Sequence, residues 1–237
     1  MPSAFFEGPE NKVELVVVDG HRSLRSYGED AWHTVVAAAN AKVLSKRSSE
    51  VFDAYLLSES SLFVYDEHIT LITCGQTSLV DAAIAVVDLV GVDAVAFLAL
   101  ERKNEHFPQE QPSTFREDAR RLRSIVPGRA LRFGDEHSHC IELFHTVRAY
   151  APDAKDTTIE ILMHGIPECA RRFAGGDDGA LERIRGTGVC TILPGFEIDD
   201  HVFSPAGYSL NALKDDLYYT LHVTPEEVGS YASFETN

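Results

Sequence analysis

Along this chain the spacing of hydrophobic and polar positions switches between a period near two and a period near 3.6, and the switches lay out the elements. Residues 12–18, rich in Val, open as a strand. Asp30 is placed to cap a helix over 31–43, with Trp32, Val35, Val36 and Ala39 on one face. Residues 54–65 and 68–74 read as a hairpin over Asp66-Glu67, and Thr70, Ile72 and Cys74 share one face of its second strand. Thr77 or Ser78 starts a helix that Gly91 ends, and its stripe of Leu79, Ala83, Val86, Val87 and Val90 suits a helix laid on a sheet. Residues 92–100 return as a strand. Thr114-Phe-Arg-Glu117 is a capping box for a helix that ends before Pro127. Residues 129–133 and 140–147 form a strand pair, and 150–155 make the best linker. A strand over 157–163 follows, then short helical stretches around 167–174 and 179–185. The chain closes with strands over 203–213, 218–223 and 230–235. Antiparallel strand pairs with helices between them predict an α+β fold.

One stretch breaks this pattern. The apolar run from Tyr55 to Val64 is interrupted by Ser58, Glu59, Ser60 and Ser61, where a half-buried strand would keep alternating. A strand that gives up burial at one point is a candidate for holding chemistry there. The bland alternative is a strand end with a serine-rich turn.

Composition narrows the function classes. The 237 residues suffice for a sizeable core. With 21 basic against 37 acidic residues the formal charge is −16, which disfavours phosphate-backbone or anionic-membrane binding and is compatible with a cationic small ligand. The first residues carry no basic and apolar leader pattern, and the longest apolar stretches are broken by Asp, so a cytoplasmic protein is expected. The cysteines at 74, 140, 169 and 190 are too sparse for a disulfide frame and read as thiols. Asp135-Glu-His-Ser-His-Cys140 contains zinc-ligand types, but no second pair stands at finger-like spacing, and no metal is expected. Ser60, Ser209 and His222 could suggest a serine hydrolase, yet no Gly-x-Ser-x-Gly elbow is present.

Leu57-Ser-Glu-Ser-Ser61 resembles the self-processing site of the eukaryotic-type S-adenosylmethionine decarboxylases. Five more stretches agree in order: Phe5-Phe-Glu-Gly-Pro-Glu10, Thr73-Cys-Gly75, Pro205-Ala-Gly-Tyr-Ser-Leu-Asn211, His222-Val-Thr-Pro-Glu226 and Ser230-Tyr-Ala-Ser-Phe-Glu-Thr-Asn237. The resemblance implies a four-layer αββα sandwich of two antiparallel sheets flanked by helices. The family continues past the position of Asn237, so the second half is expected to be incomplete or completed by a partner. It further implies one domain over 1–237 that cuts itself between Glu59 and Ser60, giving a 1–59 chain and a 60–237 chain that begins with a pyruvoyl group made from Ser60. In that chemistry Ser60 Oγ attacks the Glu59 carbonyl to form an ester, which β-elimination opens. Ser209 matches the donor to the oxyanion and His222 the base for the Ser60 α-proton. The pyruvoyl ketone then condenses with the α-amino group of S-adenosylmethionine as a Schiff base that takes up electrons as CO₂ leaves, and Cys74 matches the proton donor to the product carbon. Phe6 and Phe203 match the rings around the adenine, Glu226 the ribose grip, and Glu7 and the Leu57 backbone other substrate contacts. Glu14, Asp156, Glu160 and Glu235 match the acids of a putrescine site, with Arg102 as the matched cation. Asn11 and Ile72 stand where putrescine-activated members carry lysines, so an external diamine is expected to help. The partnership otherwise implied is between the two chains of one precursor, and it allows a homodimer.

Part of this can be checked on spacing. A two-residue turn at Asp215-Asp216 would put Ser209 and His222 directly opposite each other on one face, with Glu226 on the same face, and Phe203 too if its strand is regular. A three-residue loop at 66–68 would set Ser60 opposite Cys74; a two-residue loop would not. Two other functions stay open: a non-catalytic regulatory paralogue, against which intact Ser60, Cys74, Ser209 and His222 argue, and a pyruvoyl decarboxylase of another amino acid, against which Phe6, Phe203 and Glu226 argue.

Overall fold

The computed structural model describes residues 10–237 except 59, 104, 106–107, 136–138, 153–155, 167–170 and 226–228. Two antiparallel sheets face each other. The first has eight strands in the order β2-β3-β4-β5-β1-β6-β8-β7, the second five in the order β10-β11-β12-β13-β9. The first sheet contains β1 (Asn11–Val17), β2 (Val43–Ser48), β3 (Asp53–Leu57), β4 (Ser60–Val64), β5 (His68–Thr73), β6 (Val95–Lys103), β7 (Gly128–Gly134) and β8 (Cys140–Thr146). The second contains β9 (Ile159–His164), β10 (Glu197–Val202), β11 (Tyr208–Lys214), β12 (Leu217–Thr224) and β13 (Tyr231–Thr236).

Parity along the strands decides what each layer holds. On β1, Val13, Leu15 and Val17 join a core with Trp32, Val35 and Val36 of α1 (Glu29–Ala38), Val86 and Val87 of α2 (Leu79–Val90), and Leu122 of α3 (Phe115–Arg123). These three helices cover the outer face of the first sheet. On the second sheet Tyr208, Leu210, Tyr219 and Leu221 pack outward against Ile184 of α4 (Ala180–Arg185). Between the sheets the apolar cluster is small: Phe52, Ala54, Phe63, Tyr65, Ile72, Leu213 and Tyr218. The expected α+β sandwich is present, with a thin second helical layer among the described residues.

Local signals explain the elements that match expectation. Ser78 and Gly91 bound α2, and Thr114 and Glu117 form the reciprocal capping box of α3. Other expectations are corrected. Helix α1 stops at Ala38 because Asn40 takes a left-handed φ of 63°, and residues 43–48, of which 43 was read as the helix end and the rest were unassigned, form the edge strand β2. Gly28, not Asp30, is the N-cap, and Asp30 lies in the first turn. The single strand expected over 54–65 is two strands: Leu57 and Ser60 are register partners, so the chain reverses between them. The strand expected from residue 203 begins at Tyr208, after the unforeseen β10 and a turn that contains the cis Ser204-Pro205 bond.

Candidate active site

Ser60 is the first residue of β4 as the chain leaves the reversal. Two hydrogen bonds anchor that corner to the chain before β2: Ser58 N–H donates to the Lys42 carbonyl at 2.8 Å, and Lys42 N–H donates to Ser58 Oγ at 2.9 Å. Ser60 has a φ of 130°, a region that residues with a side chain rarely occupy. It is buried, and among the described residues its Oγ has no hydrogen-bond partner.

Ser209 and His222 sit opposite each other on β11 and β12, as the Asp215-Asp216 turn required, with Lys214 and Leu217 closing it. Both point between the sheets. Ser209 Oγ lies 2.8 Å from His222 Nδ1. On the other side of the ring, Nε2 lies 2.6 Å from Thr220 Oγ1 and 3.1 Å from Ser61 Oγ. Ser61 donates to Asn211 Oδ1 at 2.6 Å, and Thr220 donates to the Leu210 carbonyl at 3.0 Å. The residue after Ser60 is thereby tied across the sheets to the Ser209–His222 pair. Burial pushes the imidazole pKa down to about 3, so His222 is neutral near pH 7.

Ser61, Asn211 and Thr220 were missed by the sequence reading, although a period of two was the available signal. Asn211 is two residues from Ser209 and Thr220 two from His222, so each pair shares a face.

Cys74 is buried just beyond β5. It is not opposite Ser60; Thr73 is. The reason is the turn, which is closed by a Tyr65 N–H bond to the His68 carbonyl at 2.9 Å and leaves two residues in the loop. Cys74 therefore lies one step diagonal to Ser60. Leu57 turns its side chain into the helix-side core, which leaves its backbone at the corner. Phe203 follows β10, whose strand is not regular into β11. Its ring meets His201 edge-on at 4.7 Å, and His201 is the register partner of Ser209. Phe6, Glu7, Glu59 and Glu226 lie outside the described residues, as does His137 of the candidate zinc-ligand stretch.

A second polar group lies deeper between the sheets. Lys12 on β1 reaches Glu235 on β13 at 3.0 Å and Glu14 at 3.9 Å, and Tyr218 donates to Glu235 at 2.7 Å. Lys103 on β6 contacts Glu160 on β9 at 2.7 Å and Glu101 at 3.0 Å. Burial alone would lower both ammonium pKa values, but the surrounding carboxylates outweigh it and raise them. Glu10 is fully buried and accepts from Ser233 at 2.5 Å. Burial lifts its pKa to about 8 despite that bond. Burial likewise raises Glu14, with Lys12 opposing. Glu14, Glu160 and Glu235 thus gather as expected, whereas Asp156 is exposed at the margin.

Arg102 is not part of this group. It follows the parity of Leu98 and Leu100 to the helix side, where it pairs with Asp118 of α3 at 2.6 Å and with Glu105. Adjacent residues on a strand face opposite ways, so its neighbour Lys103 enters the acidic group instead.

The model of the family described as adenosylmethionine decarboxylase matches residues 3–237. The chain belongs to this family. It is 33% identical to the S-adenosylmethionine decarboxylase proenzyme of Dictyostelium discoideum, an alignment that covers 98% of this chain and 67% of that protein. It is 34% identical to the proenzymes of Trypanosoma cruzi, covering 99% of this chain and 68% of the relative, and Drosophila melanogaster, covering 99% and 75%. The crystal structure of the Trypanosoma brucei AdoMetDC-delta26 monomer shares the fold with a TM-score of 0.54 at 26% identity, over 74% of this chain and 68% of that one. The chain therefore spans about two thirds to three quarters of the length of these decarboxylases.

Proposed function

We propose that this chain is a pyruvoyl-dependent S-adenosylmethionine decarboxylase of polyamine synthesis that makes its own cofactor by cutting itself between Glu59 and Ser60. The observation that carries the reading is Ser60 itself: buried, held at a positive φ, its hydroxyl without a partner among the described residues, and joined through Ser61 to a neutral histidine. An unpartnered hydroxyl is available as a nucleophile, and backbone strain at the reacting residue favours a step that releases it.

Ser60 Oγ attacks the Glu59 carbonyl, the C–N bond breaks, and an ester replaces the amide. Ser209 serves the oxyanion as donor, and His222 takes the Ser60 α-proton. Elimination expels the Glu59 carboxylate and leaves dehydroalanine, which takes up water and loses ammonia to become pyruvoyl. When present, the pyruvoyl group supplies a ketone able to bind an amine and accept electrons. Around it, Phe6 and Phe203 are assigned to the adenine, Glu226 to the ribose, Glu7 and the Leu57 backbone to other substrate atoms, and Cys74 to reprotonation of the product carbon. No described helix is long and apolar enough to cross a membrane, and we assign the reaction to the cytoplasm.

Intact mass spectrometry under denaturing conditions tests the reading. The products should be residues 1–59 and a 60–237 chain blocked by pyruvoyl, and Ser60→Ala should give one uncut chain. A wild-type chain still full length after long incubation overturns it.

The acidic group changes the expectation for putrescine. Lys12 and Lys103 place two ammonium groups among Glu10, Glu14, Glu160 and Glu235, which is the charge a diamine would bring. External putrescine should then change the self-cleavage rate by less than about twofold, because Glu14, Glu160 and Glu235 already have lysine partners. In Lys12→Met those carboxylates lose one partner, and putrescine should then accelerate cleavage. Strong stimulation of the wild-type chain at constant ionic strength would show that the lysines do not replace the diamine.

A further inference from the structure

The hydrogen bonds around His222 bear on which of its nitrogens carries the proton. In the arrangement found here Asn211 turns Oδ1 to Ser61 and leaves its Nδ2 without a hydrogen-bond partner among the described residues; Ser61 donates to that oxygen, Thr220 donates to the Leu210 carbonyl, and the two hydroxyls lie 3.2 Å apart. Both hydroxyl oxygens then face Nε2 with lone pairs, Thr220 at 2.6 Å and Ser61 at 3.1 Å. With the protons so placed, Nε2 is the donor to both. The ring is neutral, so Nδ1 is bare and accepts from the Ser209 hydroxyl at 2.8 Å.

We propose that Ser61, Asn211 and Thr220 are positioning residues that lock His222 as its Nε2–H tautomer, so that Nδ1 is the working base and Ser209 guards it. Resting on the self-cleavage reading above, this gives one hydroxyl two tasks. In the resting chain the Ser209 proton points at Nδ1. When the oxyanion forms on the Glu59 carbonyl carbon, Ser209 turns its proton to that oxygen, and the same rotation uncovers the Nδ1 lone pair for the Ser60 α-proton. Donor and base are armed together, and the base stays covered until the attack that makes the ester has begun. With the opposite tautomer Nδ1 would carry the proton and could accept nothing.

The tautomer can be read without any cleavage. In the uncut Ser60→Ala chain labelled with ¹⁵N-histidine, the His222 signals are those lost on adding His222→Gln. The expected spectrum shows Nε2 protonated and Nδ1 bare, and a protonated Nδ1 overturns the proposal. In chains that retain Ser60, Thr220→Val should slow self-cleavage on the order of tenfold, a part of what a well-placed general base contributes. In the Ser60→Ala background the same change should shift the imidazole signals toward the other tautomer, and Thr220→Ser should restore both readouts. Unchanged cleavage and unchanged imidazole signals in Thr220→Val remove Thr220 from this role. The expected tautomer in a chain that never cuts itself upholds the assignment of His222 and sinks the self-cleavage reading alone.

Discussion

On the helix-covered face of the eight-stranded sheet, Val13, Leu15, Leu62, Leu71 and Leu98 lie fully buried against Trp32 and Val86. On the opposite face the same strands present Lys12, Ser61 and Lys103 to the second sheet, where they bond to Glu235, His222 and Glu160. One step along a strand separates an apolar core position from a polar one. The helix-side layer is held by area removed from water, which is tolerant of detail and strong in sum. The inner layer is held by hydrogen bonds and ion pairs, which are worth little net but costly to leave half made. Stability and chemistry are thus sorted by parity along each strand, and substitutions on the two faces should fail in different ways.

Leu71→Ala should give the largest loss of stability. It empties a fully buried site between β4 and β1 on the helix side and should cost about 2–5 kcal/mol. Those molecules that remain folded should still cut themselves, since Ser61, Ser209 and His222 face the other way. Denaturant unfolding in the Ser60→Ala background gives the stability, and gel densitometry of the cutting chain gives the rate. Cleavage abolished at temperatures where the variant is fully folded would mean that the two faces are not separable.

The inner face should show itself through pH. Glu10 has a folded pKa raised to about 8, so its protonated form is favoured by folding. The stability it contributes is complete below its unfolded pKa and is lost as pH rises toward 8. His222 has a folded pKa lowered to about 3, so its contribution is complete above its unfolded pKa and is lost as pH falls toward 3. Between the two unfolded values the slopes oppose each other. Above about pH 6.5 only the Glu10 slope remains of the two, and below about pH 4.5 only that of His222. Melting curves of the uncut Ser60→Ala chain should therefore lose about 1–2 kcal/mol from pH 6.5 to 8, and Glu10→Gln should flatten that limb. The acid limb should flatten in His222→Gln instead. A wild-type alkaline slope that survives in Glu10→Gln would place the titrating group elsewhere.

The same sorting explains how much the sequence revealed. The stripe of α2, the capping box of α3 and the β11–β12 register were legible because each rests on contacts within a dozen or so residues. The reversal between Leu57 and Ser60 was marked by the polar Ser58–Ser61 break and matches the alternative of a strand end with a serine-rich turn; the two strands were not separated because Asp53–Leu57 and Ser60–Val64 are buried on both faces and show no alternation of their own. Strands β2 and β10 were missed for the opposite reason: as edge strands they carry Ser45, Lys46 and Arg47 or Asp199, Asp200 and His201, with little apolar signal. Within the site, Ser209 and His222 could be paired by counting, because one hairpin holds them. Their link to Ser61 spans 161 residues and depends on how two sheets dock, which no local pattern records. Arg102 was named through the resemblance alone, whereas the parity of β6 turns it to Asp118 on the helix side and sends Lys103 inward to Glu160.

The smallest expected effect concerns the corner where the two faces meet. Ser60 holds a φ of 130° that costs a side-chain-bearing residue roughly 1–3 kcal/mol, while glycine adopts it without a Cβ penalty. Ser60→Ala and Ser60→Gly both remove the buried, unpartnered hydroxyl and both leave the chain uncut, so they differ in the Cβ alone. Glycine gives back about 0.5–1 kcal/mol through the freedom of its unfolded chain. The net advantage of Ser60→Gly over Ser60→Ala should be about 1 kcal/mol, which for a chain of this size is a melting temperature roughly 2–4 °C higher. A gain of that size would locate the strain at the residue that reacts, on the strand that carries the helix-side core on one face and Ser61 on the other. If Ser60→Ala proves equally or more stable, the corner is relaxed, and self-cleavage must draw on Ser209 and His222 without help from the backbone.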